Sequence, residues 1–406
     1  MTDATGDLPV PAGPDAVTAE WLTAALRASG SLDGVTIASF AWEQIAVGEG
    51  FAGQLARIAI VYEDDAGDGG GGRSGGAVDA PATLIGKFAS PHDETRALLD
   101  LAGGYEREVR FYSELASDAG LPTPRCYHAA YDDEAGTCVI LMEDMSPAET
   151  GDQVAGATLQ EARFVVAELA RFHARWWNDE ALLGQEWMRP PAGFGGRVIT
   201  LFEEGLPTFL ERAEEFPRLA GLVDRIRKLM PSMVGQLEGR FGRRPYTLVH
   251  GDMRLDNLFL PAGDDGRFAV IDWQGVTLGM AAADLSYLLA LSLDIELRRA
   301  YEGDLVALYH ATLVGHGVDD YPLSRLKRDY AESLLSLIAF AVIVSGNLDL
   351  TSERGQALAD AALRRMDAAL DDHKAGRLLR IAPWAMRAQR ALKVLRAPLS
   401  NVSRGR

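Results

Sequence analysis

Leu-Val-His-Gly-Asp-Met-Arg-Leu-Asp-Asn, residues 248–257, with Val-Ile-Asp-Trp at 270–273, is the stretch that decides the fold. Asp252 and Asn257 stand five residues apart, and Asp272 follows Asn257 by fifteen. That spacing suits nucleotide-dependent phosphoryl transfer, in which placement and charge neutralisation do most of the work. Asp252 would receive the proton of an attacking hydroxyl. The Asn257 carboxamide oxygen and the Asp272 carboxylate, both hard ligands, would hold Mg²⁺ against the phosphates. Leu248 and Val249 precede the polar cluster and Leu258, Phe259 and Leu260 follow it, so the loop is set in apolar surroundings. Carboxylates buried without partners are costly, which speaks against an ordinary surface turn. His250 reads as a packed residue that shapes the loop rather than as an acid or base.

Upstream, Gly48-Glu49-Gly50-Phe51-Ala52-Gly53 is followed by Gln54-Leu55-Ala56-Arg57-Ile58-Ala59-Ile60-Val61, an extended pattern and not a helix. A dinucleotide-binding turn needs a helix at that point. The alternatives are a glycine-rich strand–turn–strand closing over phosphates through Gly48, Gly50 and Gly53, or a plain hairpin. Lys87 is a lone cation in the apolar run Leu84-Ile85-Gly86-Lys87-Phe88, placed to meet a nucleotide phosphate and a carboxylate of the next helix. That carboxylate is Glu108, with Glu106 as the alternative. The run Ile140–Met145 leaves the strand-rich part of the chain, and the Glu143–Met145 backbone is the expected seat of the nucleotide base. Asp284 has two compatible readings, the N-cap of a helix over Leu285–Leu293 or a brace for the catalytic loop.

The order of patterns is strand-rich first and helical afterwards. It predicts an α+β, two-lobed, protein-kinase-like fold with a β-rich N-lobe and a mostly helical C-lobe. The N-lobe is expected over 1–142, with a glycine-rich excursion at 66–77. The C-lobe is expected over 143–373, with a helical insertion at 178–247, and a basic segment over 374–406. Strands are expected at Ile58–Tyr62, Thr83–Phe88, Cys138–Met142 and Phe268–Ile271. Helices are expected from Thr18, over Tyr105–Ala119, and from a Thr158/Glu161 capping box to Trp177.

The 406 residues are 48% hydrophobic and 24% charged, enough for a sizeable core. Two cysteines, Cys126 and Cys138, make neither a disulfide framework nor a metal cluster and read as buried thiols of a reducing compartment. The acidic, polar N-terminus and the lack of any long apolar run point to a cytoplasmic protein. The net charge of −18 argues against a nucleic-acid partner. From Lys374 onward there are nine Lys/Arg and no Asp/Glu, which leaves −27 on the rest of the chain. The basic segment is therefore expected to dock on the acidic body rather than on a membrane.

With these residues in view, the chain resembles the aminoglycoside phosphotransferase/choline kinase-like superfamily. The resemblance lies in His250-Gly251-Asp252 through Asn257, Ile271-Asp272-Trp273 and Asp284-Leu285. The wording is similar to the ecdysteroid-kinase-like and hydroxyacyl-CoA-kinase-like branches. It departs from protein kinases at Trp273 and in the insert before Lys87. The resemblance implies a phosphotransferase that uses ATP or GTP with Mg²⁺ and acts on a hydroxyl of a small molecule. An antibiotic-modifying enzyme and a catalytically silent nucleotide-binding module are the alternatives. Asp272 to Asp284 spans only twelve residues, too short to seat a peptide substrate, whereas Asn178 to Thr247 adds about seventy that suit a substrate pocket. The acidic body admits a polycation. The apolar positions Phe202, Leu206, Phe209 and Leu210, with Leu222, Ile226, Leu229 and Met230, admit a lipid-like alcohol.

Overall fold

The protein is described from a computed structural model covering residues 8–28, 30, 36–46, 53–63, 80–261, 266–347, 352–375 and 377. Gly48, Gly50, the excursion at 66–77 and nearly all of the basic segment lie outside the described residues.

Helix α1 (Ala19–Ala28) begins where the Thr18 hydroxyl accepts the Trp21 N–H at 3.1 Å, satisfying one of the orphan donors of the first turn. Strands β1 (Ile37–Ile45), β2 (Gly53–Tyr62), β3 (Thr83–Ala89), β4 (Cys126–Asp132) and β5 (Thr137–Glu143) form one antiparallel sheet in the order β1-β2-β3-β5-β4. The helices α2 (Asp93–Leu101) and α3 (Gly104–Arg110) lie between β3 and β4 in the chain. Strand β5 is buried on both faces, which is why its sequence is unbroken apolar. Val139 and Leu141 pack into the cluster of Trp21, Leu22 and Leu26 on α1, while Cys138, Ile140 and Met142 face the cluster of Tyr105, Val109 and Phe111. Alternation on a doubly covered strand leaves no polar face.

The helix expected over Tyr105–Ala119 is instead three pieces: α3, a π-helical turn at Phe111–Leu115 and a short 3₁₀ turn at Ala116–Asp118. Helix α2 before it was not expected; in its sequence, Asp-Glu-Thr-Arg-Ala-Leu-Leu-Asp-Leu, none of the residues whose burial is described is fully buried to mark a stripe. Cys126 is half-buried rather than buried, being at the edge of the sheet; both thiols are free.

The second lobe runs through α4 (Leu159–Arg175), α5 (Phe194–Glu211), α6 (Pro217–Arg240), two small ladders, and then α7 (Ala281–Ser292), α8 (Ile295–Gly315), α9 (Leu323–Asn347) and α10 (Glu353–Asp372). The ladders pair β6 (Thr247–Val249) with β9 (Thr277–Gly279), and β7 (Leu258–Phe259) with β8 (Ala269–Val270). The expected capping box opens α4: Thr158 Oγ1 accepts the Glu161 N–H at 3.2 Å and Glu161 Oε2 accepts the Thr158 N–H at 2.7 Å. The expected strand at Phe268–Ile271 shortens to β8. The 178–247 stretch carries α5, α6 and short 3₁₀ turns before it reaches β6. Its α5 lies backbone to backbone on α9, since a Cβ on Gly205 would stand 2.2 Å from the Val342 carbonyl oxygen. Helix α7 is apolar on all sides and is buried from Ala281 to Ser292 save Ala283, the mark of a central helix. Among the described residues, no helix is long and apolar enough to cross a membrane.

Candidate active site

The upper lobe contributes a cation. Lys87 stands in β3 opposite Leu55 of β2 and Ile140 of β5, and this register turns it away from the α1 side. Its Nζ donates to Glu108 Oε1 at 2.8 Å and to Asp272 Oδ1 at 2.7 Å. Glu108 is 1% exposed, whereas Glu106 points outward and pairs with Arg110 at 3.7 Å, so the helix phase favours Glu108. Burial alone would depress the Lys87 ammonium, but Asp272 and Glu108 together outweigh it and hold it above its ordinary value. Burial pushes the Glu108 carboxyl up, against the pull of Lys87. For Asp272, burial works the same way but Lys87, Arg254 and His250 prevail and hold it down.

The lower lobe supplies the rest. Asp272 follows β8 with φ 67° and ψ 61°, a left-handed backbone that a non-glycine residue adopts at a cost and that recurs at functional sites. The Ile271 N–H donates to the Asn257 carbonyl at 3.0 Å, so the two expected metal ligands sit on neighbouring backbone. Asn257 is buried, and its Nδ2 donates to the Asp252 carbonyl at 2.9 Å and to Asp252 Oδ2 at 3.1 Å. With Nδ2 so committed, the carboxamide oxygen is turned away from Asp252 and available to a cation.

His250 takes the structural role expected of it. Its Nδ1 accepts the Asp252 N–H at 3.2 Å and its Nε2 donates to the Ile271 carbonyl at 3.0 Å, joining the two loops. Gly251 has φ 86°, and a Cβ there would stand 2.6 Å from the Gly275 carbonyl oxygen. The loops touch at that point, which only glycine permits.

Of the two readings of Asp284, the structure takes the brace. Met280 is the N-cap of α7, and Asp284 lies inside its first turn, so the helix starts earlier than the sequence suggested. The buried carboxylate accepts the His250 N–H at 2.7 Å and the Gly251 N–H at 2.9 Å. His173 of α4 lies 3.3 Å from the same carboxylate and also hydrogen-bonds Tyr309 of α8. Trp273, fully buried, stacks on Phe111 with ring centroids 3.8 Å apart and donates to the Val270 carbonyl at 3.0 Å. The loop bearing Asp272 is thereby packed against the helical segment bearing Glu108.

Gly53 opens β2 opposite Ala89 of β3, at the end of the sheet near Lys87. Glu143 is tied up: its carboxylate takes a two-pronged bond from Arg267 at 2.7 and 3.0 Å, and its N–H donates to the Arg125 carbonyl at 2.9 Å. Met145 is buried beside it. Asp144, between them, accepts Arg57 Nε at 2.8 Å and the Ser146 N–H at 3.0 Å, which fastens β2 to the connection between lobes.

Several groups at the site escaped the sequence reading. The Arg254 guanidinium lies 3.3 Å from Asp252 Oδ2, and burial together with the nearby Asp252 carboxylate pushes the Tyr287 phenol of α7 well above its ordinary value. Gln153 accepts the Leu255 N–H at 2.9 Å and gives its own N–H to Asp256 Oδ1 at 3.0 Å. Arg365 of α10 donates in turn to the Gln153 carbonyl at 2.6 Å. Only the position of Arg254 within the loop could have drawn notice; the rest are long-range contacts.

Comparison with known proteins accords with this geometry. A solved choline kinase from Cryptosporidium parvum covers 89% of this chain and 96% of its own, with a TM-score of 0.52 and 11% identity. An aminoglycoside phosphotransferase candidate from Ralstonia eutropha covers 88% and 98%, with a TM-score of 0.51 and 20% identity. These likenesses establish the two-lobed kinase-like fold. The uncharacterized oxidoreductase dhs-27 of Caenorhabditis elegans is 24% identical over 229 residues, 53% of this chain and 27% of its own length. The chain spans about a quarter of the length of the curated relatives it matches. The profile of the ecdysteroid kinase-like family matches residues 47–318, about two thirds of the sequence, and the chain belongs to that family.

Proposed function

We propose that this protein is a Mg²⁺- and nucleotide-dependent phosphotransferase acting on a hydroxyl of a small molecule, with Asp252 as the general base. The observation that carries the reading is the meeting of Lys87, from the upper sheet, with Glu108 and Asp272 beside a loop in which Asn257 holds Asp252. The donor set fits Mg²⁺: one carboxylate and one carboxamide oxygen, with phosphates and water expected to complete the shell. Asn257 and Asp272 would hold the ion, which when bound would neutralise charge on the phosphates.

Each residue then has a distinct task. Lys87 leaves Asp272 for a phosphate oxygen of ATP or GTP and keeps Glu108, whose burial fixes its position. Asp252 orients the acceptor hydroxyl and takes its proton as the new ester bond forms. Asp284 and His250 hold the loop so that this oxygen and the phosphoryl group are in line. Glu143–Met145 and the glycine-rich stretch from Gly48 to Gly53 would seat the base and cover the phosphates.

The acceptor is read as small because the chain between Asp272 and α7 is fully spent. Trp273–Gly275 forms a 3₁₀ turn and Thr277–Gly279 is β9, paired with β6. No length remains for a peptide-seating segment. Arg254 lies 3.3 Å from Asp252, and Tyr287 of α7 lies beside the same carboxylate with its ring 5.5 Å from that of Phe340, so the near surroundings include a cation and an aromatic ring. That weighs against a polycationic antibiotic and towards a neutral or anionic alcohol. The test is incubation with a metabolite pool and γ-labelled ATP or GTP. Label in small molecules that disappears with Asp252→Ala supports the reading; label confined to proteins overturns it.

A further inference from the structure

We propose that Arg254 is a catalytic residue whose guanidinium contacts the phosphoryl group in flight between nucleotide and acceptor. The proposal rests on the phosphotransferase reading above. Arg254 follows Asp252 by two positions in a turn closed by its N–H to the Asp252 carbonyl at 2.9 Å. The turn folds the side chain back so that Nε lies 3.3 Å from Asp252 Oδ2. Among the described residues this buried Nε–H has no hydrogen-bond acceptor. A guanidinium carries five donors, and a buried donor left unmade is expensive, so a site that retains one is built to receive an anion.

Asp252 meets this Nε as an ion pair at 3.3 Å without forming a hydrogen bond to it. Asp256 Oδ2 stands 3.8 Å from the Arg254 Nη1, beyond hydrogen-bond reach, and its Oδ1 accepts the Gln153 N–H at 3.0 Å and Arg354 at 3.2 Å. Asp252 Oδ2 is shared with Asn257. The charge of Lys87 is taken up by Glu108 and Asp272. Tyr287 of α7 lies beside the Asp252 carboxylate and carries no charge to offer an anion. The Arg254 side chain keeps 27% of its surface exposed, so its outer edge faces solvent where the substrates must enter.

The step balances without a new reactant. The acceptor oxygen forms a bond to the γ-phosphorus and the bond from that phosphorus to the β–γ bridging oxygen breaks. The hydroxyl proton passes to Asp252, and the nucleoside diphosphate leaves with the electron pair. Arg254 neither gains nor loses a proton. It offers fixed positive charge to equatorial oxygens at a distance from Asp252 that one hydroxyl can bridge. Removing one such preorganised donor costs about 10²–10³-fold in kcat, and an arginine acting on a transferring phosphoryl about 10³–10⁵-fold.

Arg254→Met and Arg254→Lys test this beside Asp252→Ala, with melting curves confirming the fold of each. The probe is MgADP with aluminium fluoride, a mimic of the phosphoryl in flight that needs no identified acceptor. Wild type is expected to bind it much more tightly than MgADP alone. Arg254→Met should lose that preference by at least about 100-fold, with MgADP affinity kept within about threefold, and Arg254→Lys should recover part of it. With an acceptor in hand, kcat should fall and KM hold. An unchanged preference in Arg254→Met, or a raised acceptor KM with kcat intact, would overturn the proposal. Should Arg254→Met fail to fold, the same comparison rests on Arg254→Lys, where full wild-type preference contradicts a role for the fork geometry. Activity surviving in Asp252→Ala would instead strike the functional reading itself.

Discussion

Asp284 makes the sharpest demand on this account, because its carboxylate touches no reactant yet fixes the loop that does. It is 1% exposed and accepts two backbone N–H groups, those of His250 at 2.7 Å and Gly251 at 2.9 Å. Hydrogen bonds to a buried charged group are worth about 1.5–3 kcal/mol each. Asp284→Ala orphans both amides and is expected to cost about 3–6 kcal/mol; Asp284→Asn retains one acceptor and should cost about half. Urea denaturation at neutral pH measures the difference. The pH dependence has a definite sign. Burial works to raise the Asp284 carboxyl, but His173, His250 and the Gly251 amide outweigh it and hold it below the ordinary range. A depressed carboxyl contributes stability in full above its unfolded value of about 3.9, and loses it as pH falls through the folded value. The gap between wild type and Asp284→Asn should therefore be constant from neutrality to about pH 5 and close below about pH 4. The displaced loop should also lower kcat while nucleotide affinity holds. Variants within about 0.5 kcal/mol of wild type, or a gap that widens in acid, would refute the reasoning.

Further outcomes follow from the same geometry. Glu108→Ala leaves the buried Lys87 with Asp272 alone and should cost about 3–5 kcal/mol, whereas Glu106→Ala, at an exposed pair, should stay within about 0.5; equal losses in denaturation would reverse the assignment. Gly251→Ala forces a left-handed backbone and a Cβ 2.6 Å from the Gly275 oxygen, so a loss well above about 1 kcal/mol and a fall in kcat are expected; a variant as stable as wild type would refute the loop contact.

Much of this was legible in the sequence, for physical reasons that differ by element. The catalytic loop reads directly because its chemistry needs fixed residue types at fixed spacing, and its ligands lie close along the chain. The strand bearing Lys87 reads well because a lone cation in an apolar run has few resting places. The partner of Lys87 depended on helix phase, which one turn of sequence could not fix and the burial of Glu108 decides. Asp284 was ambiguous since α7 is apolar all round; a helix without a stripe hides both its start and its inward polar group. The stacking of Phe111 on Trp273, 162 positions along the chain, and the approach of Tyr287 to Asp252, 35 positions along, become visible only once the chain is folded. Gly48 and Gly50 stay as sequence expectations.

The central claim is that Asp252 activates a small-molecule hydroxyl for transfer of phosphate from a Mg-nucleotide. The most direct measurement compares wild type, Asp252→Ala and Asp272→Ala for label transfer from γ-labelled nucleotide to a library of small alcohols, alongside calorimetric Mg-nucleotide binding. Wild type is expected to label a small molecule. Asp252→Ala should bind nucleotide nearly normally yet transfer nothing, and Asp272→Ala should lose binding and transfer together. Transfer by Asp252→Ala at close to the wild-type rate would contradict the account.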